Sequence, residues 1–194
     1  MGRTGRLFVV AGPSGVGKGT LVRRVRALVP ALGYSVSVTT RPPRPEEADG
    51  IDYRFVSAED FRRLVEEGAF LEHAEVFGHR YGTLSGPIAD ELERGRDVLL
   101  EIDVQGAAQI HERHPDARLV FLAPPSEAEL ERRLRSRGTE DDRSIRRRLA
   151  EARRELGQTG WFDRVVVNDD VDRAAEEVAA IIAATDHRTE NAPP

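Results

Sequence analysis

The 194-residue chain contains no cysteine. Disulfide frameworks and thiolate metal sites are therefore excluded, and a reducing, cytoplasmic setting is expected. An excess of positive charge is missing too. The formal net charge is −5, which argues against bulk electrostatic binding of nucleic acid. No apolar run is long enough for a membrane span or a signal h-region, the first being only Leu7 to Ala11. Gly2 is followed by Arg6 where myristoylation wants Ser or Thr, so no targeting segment is expected. The histidines His73, His79, His111, His114 and His187 show no metal-ligand spacing. Internal repeats and low-complexity linkers are absent as well. No nucleic acid, membrane or obligate protein partner is expected.

What is present is 39% apolar and 32% charged residues, enough for one α/β domain with a well-solvated surface. Short apolar runs at Leu7–Val10, Val98–Ile102, Leu119–Leu122 and Val165–Val167 alternate with helical patterns. Such runs, separated by helices, predict a parallel sheet covered on both faces. A helix is predicted from Thr20 to Leu28, with Leu21, Val25 and Leu28 on one face. Ser57-Ala58-Glu59-Asp60 reads as a capping box, and Ser126 with Glu129 opens another helix. Ile145, Leu149, Ala152 and Leu156 mark one face of the next helix, and Val178, Ile181 and Ile182 that of the last. The segments from about Thr39 to Gly82 and from Ser126 to Trp161 are polar, Arg-rich insertions.

Gly12-Pro13-Ser14-Gly15-Val16-Gly17-Lys18 follows the first strand and opens a helix. Glycines let consecutive backbone N–H groups turn inward, and the helix N-terminus behind them favours an anion. Lys18 can reach the β- and γ-phosphates of a bound nucleotide. A plain strand-to-helix turn is the bland alternative, but GxxxxGK in this context is specific for a phosphate loop. Gly19 stands where a Mg²⁺-binding Ser or Thr is usual, with Thr20 next, an order that resembles the loop of adenylate kinases. Mg²⁺ is therefore expected on ATP oxygens and water, with Thr20 as the loop's candidate for a direct ligand.

The chain resembles the guanylate kinases from about Arg6 to Ala184. The resemblance rests on this loop, on Ser35-Val36-Ser37-Val38-Thr39-Thr40-Arg41 with Pro43-Arg44, and on Gly50-Ile51-Asp52-Tyr53. Phe70-Leu71-Glu72, Tyr81-Gly82-Thr83 and Glu101-Ile102-Asp103-Val104-Gln105-Gly106 follow, then Arg137-Gly138-Thr139-Glu140 and Val167-Asn168-Asp169-Asp170. Each string is weak alone; their order and spacing together are specific. The resemblance implies a P-loop core at about 1–36, 84–125 and 162–184. It also implies a GMP-binding lobe at about 37–83, a helical lid at about 126–161, and a disordered tail at 185–194.

It further implies transfer of the γ-phosphate of ATP to GMP, with Mg²⁺ accompanying ATP, Asp103 as a candidate ligand beside it, and dGMP tolerance left open. Gly12 to Thr20, Arg133, Arg137 and Asn168 would then bind ATP. Ser37, Arg41, Arg44, Tyr53, Glu72, Tyr81, Thr83 and Asp103 would bind GMP. Lys18, Arg41, Arg137 and Arg148 would carry catalysis. The chemistry agrees at each position. Guanidinium forks and phenols are phosphate donors. A carboxylate is acceptor-only and suits the N1–H and N2–H₂ edge of guanine. Taken singly, loop arginines are more often solvated charges, Tyr53 and Tyr81 packing residues, Asp103 a turn cap, and Arg133 an exposed partner of Glu127, Glu129 and Glu131. Two other functions stay open: a P-loop kinase of AMP or a phosphosugar, and a non-catalytic guanylate-kinase-like binding module. The intact Gly17-Lys18 pair disfavours the second.

Overall fold

A computed structural model describes residues 3–136 and 141–184. Strand β1 (Leu7–Ala11) leads through the glycine-rich loop into helix α1 (Lys18–Leu28). Three short strands follow: β2 (Gly33–Tyr34), β3 (Val38–Thr39) and β4 (Arg54–Phe55). Helix α2 (Ala58–Glu66) precedes a hairpin of β5 (Phe70–Val76) and β6 (His79–Leu84), which runs into α3 (Ser85–Glu93). Then come β7 (Val98–Glu101), α4 (Val104–Arg113) and β8 (Arg118–Ala123). Helices α5 (Glu127–Ser136) and α6 (Asp142–Leu156), strand β9 (Arg164–Val167) and helix α7 (Val171–Ala184) complete it. Among the described residues the chain is α/β, with a five-stranded parallel sheet and a second sheet of four strands. The polar tail at 185–194 lies outside the described residues. No described helix is long and apolar enough to cross a membrane.

The chain divides into two compact units: residues up to Leu7 with Leu32–Ala117, and Phe8–Ala31 with residues from Arg118 on. In the first, β2 runs parallel to β7, pairing Gly33 with Val98. Its second sheet has the order β4-β3-β6-β5. Val38, Phe61 and Phe70 form the core of this sheet, with the rings of Phe61 and Phe70 stacked at 4.6 Å. Helix α2 starts where the sequence predicts: the Ser57 hydroxyl accepts the Asp60 N–H at 3.0 Å and donates to the Asp60 carboxylate at 2.7 Å.

In the second unit, β1 is buried along its whole length and runs parallel to β8, which runs parallel to β9. Helix α1 packs on α7. Leu130, Leu134, Ile145, Leu149 and Ala152 give α5 and α6 a core of their own.

Two expectations are corrected. Leu28 does not share the buried face of α1; it is the last residue of the helix and is 51% exposed, while Val22 is buried beside Leu21 and Val25. Strand β9 is not covered on both faces either. Val166 is fully buried, but Val165 and Val167, which point the other way, are 45% and 39% exposed.

Candidate active site

In the second unit the phosphate loop is held at its bends. Gly17 has φ 99 and caps α1 in the left-handed region, which a side chain would strain. A Cβ there would also lie 2.8 Å from the Asn168 amide nitrogen. A Cβ on Gly12 would run into the Leu122 carbonyl, so β8 requires glycine at the start of the loop. The Val16 carbonyl accepts the Asn168 Nδ2 amide at 2.8 Å and Arg133 Nη1 at 3.1 Å. Arg133 Nη2 donates to the Asn168 carbonyl at 2.9 Å, and its Nε to Glu129 at 2.7 Å. Asn168 is 4% exposed. Both residues thus tie the loop to α5 and to the end of β9. Arg148 donates to the Ser14 hydroxyl at 3.2 Å. Lys18 folds its ammonium onto the Gly12 and Pro13 carbonyls at 2.6 and 3.3 Å. Thr20 is exposed beside Gly19. Arg137 lies outside the described residues.

The first unit gathers the residues expected around GMP. The Arg41 guanidinium lies 5.4 Å from the Tyr53 ring centre, and the Tyr53 and Tyr81 rings are 6.0 Å apart. Arg41 Nη2 donates to both oxygens of Glu47, at 2.7 and 2.9 Å, and the Arg44 N–H donates to the same carboxylate at 2.8 Å. Burial works against ionisation of Glu47, but Arg41 and the Arg44 N–H hold it below the usual carboxylate range. Burial and the charge of Glu101 push the Tyr53 phenol up, keeping it a hydrogen-bond donor. Ser37 precedes β3, and its carbonyl accepts the Arg54 N–H at 2.8 Å. The Asp103 carboxylate caps α4, accepting from the N–H groups of Gln105 at 2.7 Å and Gly106 at 3.0 Å.

Glu72 is the unusual group. It sits on β5 opposite Thr83 of β6 and is 2% exposed. Thr83 donates its hydroxyl to Glu72 Oε1 at 2.6 Å. A register shift between Phe70 and Glu72 bulges the strand at this point, a device that re-aims side chains beside functional sites. Burial pushes the Glu72 carboxyl up to about 7; the Thr83 hydroxyl opposes the shift and the charge of Asp103 adds to it. None of these influences is a positive charge.

This buried carboxylate should cost stability. Below its ordinary value of 4.5 the group is protonated folded or unfolded and costs nothing. Between 4.5 and about 7 the unfolded chain ionises more readily, and stability falls as pH rises through this window. Glu72→Gln, which keeps an acceptor for Thr83, is expected to be more stable than the parent at pH 8 by on the order of 2–3 kcal/mol. Urea unfolding at pH 8 and pH 5.5 checks it: the gap should narrow at the lower pH. Equal stabilities at pH 8 would show that Glu72 is not buried as an unpaired charge.

Two residues of this arrangement were not singled out by sequence reasoning. Glu47 was an acidic residue in a Pro-rich loop, and only the fold reveals that it fills the Arg41 fork. Gly106 closed a motif, and only the fold reveals what lies against it. An Arg-x₅-Glu spacing in a loop carries no signal by itself.

A strand, a GxxxxGK loop and a helix in an α/β fold define a P-loop nucleotide-binding protein, and the first unit holds a cluster of arginine, tyrosine and carboxylate groups of its own. The family model described as Guanylate kinase matches residues 4–185. The chain is 53% identical over 179 residues to the guanylate kinase of Thermobifida fusca, covering 92% of this chain and 91% of that one. It is 50% identical over 188 residues to that of Nocardia farcinica, covering 96% and 97%. The crystal structure of guanylate kinase from Anaplasma phagocytophilum superimposes with a TM-score of 0.81 at 34% identity, covering 96% of this chain and 88% of that chain. The chain belongs to the guanylate kinase family.

Proposed function

We propose that the protein transfers the γ-phosphate of ATP to GMP, giving ADP and GDP. The observation that carries this reading is the Glu72 carboxylate, 2% exposed and without a cationic partner among the described residues, in the unit that also holds Arg41, Tyr53 and Tyr81. A carboxylate accepts from guanine N1–H and N2–H₂, whereas adenine N1 is an acceptor and is repelled. Thr83, Ser37 and Asp103 complete the polar surroundings of the base. Arg41, Arg44, Tyr53 and Tyr81 hold the acceptor phosphate, Glu47 yielding the arginine fork to it. We read residues at about 37–83 as the GMP lobe, about 126–161 as the lid, and the remainder through 184 as the core.

On the ATP side, Gly12 to Thr20 surround the phosphates, and Lys18 exchanges the Gly12 and Pro13 carbonyls for phosphate oxygens. Arg133, Arg137 and Arg148 offset charge on the transferring group. An oxygen of the GMP phosphate attacks the γ-phosphorus as the bond to the β–γ bridging oxygen breaks, and the bridging oxygen departs on ADP. The acceptor is ionised at neutral pH, so no strong general base is required. Mg²⁺ suits this donor set because it binds through phosphate oxygens and keeps water. Thr20 and Asp103 are the chain's candidate ligands, and the ion would add charge neutralisation at the bridge. A cytoplasmic setting, with ATP and GMP as the partners, fits the lack of cysteine.

A coupled ADP-release assay over AMP, GMP, CMP and UMP tests the reading. GMP should exceed AMP in kcat/KM by at least about 100-fold. Comparable turnover of AMP would overturn the base assignment, and a folded protein that releases no ADP with any of them would overturn the catalytic one. Asn168→Ala supplies a second check. Loss of the amide that pins the Val16 carbonyl should cost about 1–2 kcal/mol. KM for ATP should rise about fivefold to thirtyfold, with KM for GMP little changed. Equal changes in both would mean that Asn168 acts on the whole fold rather than on the loop.

A further inference from the structure

Gly106 is the third residue of α4, in a turn whose N–H groups are already committed to the Asp103 cap. Its φ is not positive, so the backbone does not demand glycine. Helix propensity argues against glycine here, since alanine is the better helix former. Space is what selects it. A Cβ on Gly106 would lie 3.0 Å from Glu72 Cδ and closer still to Oε2, its three nearest neighbours all belonging to the Glu72 side chain. The Glu72 carboxylate is therefore bounded on one side by the Thr83 hydroxyl and on another by the bare Cα of Gly106.

We propose that Gly106 is a positioning residue for base choice: the missing side chain sets where the Glu72 carboxylate sits, and so which base edge it can meet. The inference rests on the reading of Glu72 as the acceptor for guanine. A methyl group at 106 meets the far end of a flexible side chain, not backbone, so the carboxylate swings aside while the helix stays. A misplacement on the order of 1 Å of a recognition group costs about 100-fold.

The test is a double-mutant cycle on kcat/KM for GMP and AMP, with circular dichroism to follow folding and titration with a non-hydrolysable ATP analogue. Gly106→Ala is expected to lower GMP efficiency about 100-fold and to leave the affinity for the ATP analogue unchanged. Added to Glu72→Gln, it should change GMP efficiency by less than about threefold, because its effect acts through the carboxylate. If Glu72→Gln itself does nothing, the base-reading role of Glu72 fails. If Glu72→Gln is impaired and Gly106→Ala multiplies the loss in full, Glu72 stands and the positioning role of Gly106 falls. Should Gly106→Ala not fold, Gly106→Ala/Glu72→Ala decides. Recovery of folding on removal of the carboxylate supports the contact, and continued failure overturns it.

Discussion

Lys18→Ala is expected to yield a folded protein whose turnover is reduced by about 100-fold or more. The fold does not depend on this ammonium. Helix α1 is anchored by Leu21, Val22 and Val25, and the Lys18 side chain lies over the loop, donating to the Gly12 and Pro13 carbonyls. On the proposed reading its value lies in the reaction, where negative charge shifts toward the bridging oxygen and a fixed cation needs no reorganisation. Losing one charge-assisted contact present in the transition state corresponds to about 3 kcal/mol or more. Steady-state kinetics, with circular dichroism as the folding control, measure it. A well-folded variant turning over near the parental rate would remove the phosphate-loop assignment.

Glu72→Gln is expected to lower GMP efficiency about 100-fold and to shrink the penalty on AMP, because the amide sets a donor against guanine and can donate to adenine N1. The pH profile separates this from a general defect. In the parent, GMP affinity should weaken as pH falls below about 7, where the carboxyl takes up a proton and ceases to be acceptor-only. Glu72→Gln should lose that limb and keep only what the GMP phosphate contributes. The combined result, higher stability with lower selectivity, is the trade expected where a group is held unpaired for a ligand. A GMP-to-AMP ratio within about threefold of the parent, a difference below about 0.7 kcal/mol, would end the base-reading role.

The phosphate loop was legible because its signal is local: an apolar strand, glycines at the bends, and a switch to helical period at Lys18. Ser57 and Ser126 were legible for the same reason, since a cap reaches only three residues. The β5–β6 hairpin was not. Its turn is Phe77-Gly78, with φ of 52 and 82, and phenylalanine in the left-handed region hides what Asn-Gly would announce. Glu72 is therefore only a charge after Phe70 and Leu71 in its own window; the family resemblance implies its base contact, and the fold adds that it occupies a buried strand position. The exposure of Val165 and Val167 depends on which strand is last paired, information that no window of sequence contains. Arg41, Tyr53 and Tyr81 were proposed together by family resemblance; their gathering in one cluster is what the fold adds.

The candidate residues of the two units close over very different lengths of chain. Glu72 meets Thr83 across 11 positions, whereas the tie from Asn168 to Val16 spans 152. Local contacts form quickly, and distant ones wait on loop closure and on synthesis itself. On a ribosome the hairpin can therefore zip up while the C-terminal helices are still unmade. The phosphate loop, among the first segments to emerge, lacks its Asn168 tie until β9 has followed it out, though Arg133 and Arg148 can reach it earlier. Nascent chains stopped before Asn168 should accordingly carry a formed hairpin, with Glu72 already against Thr83, and a loop without its Asn168 tie.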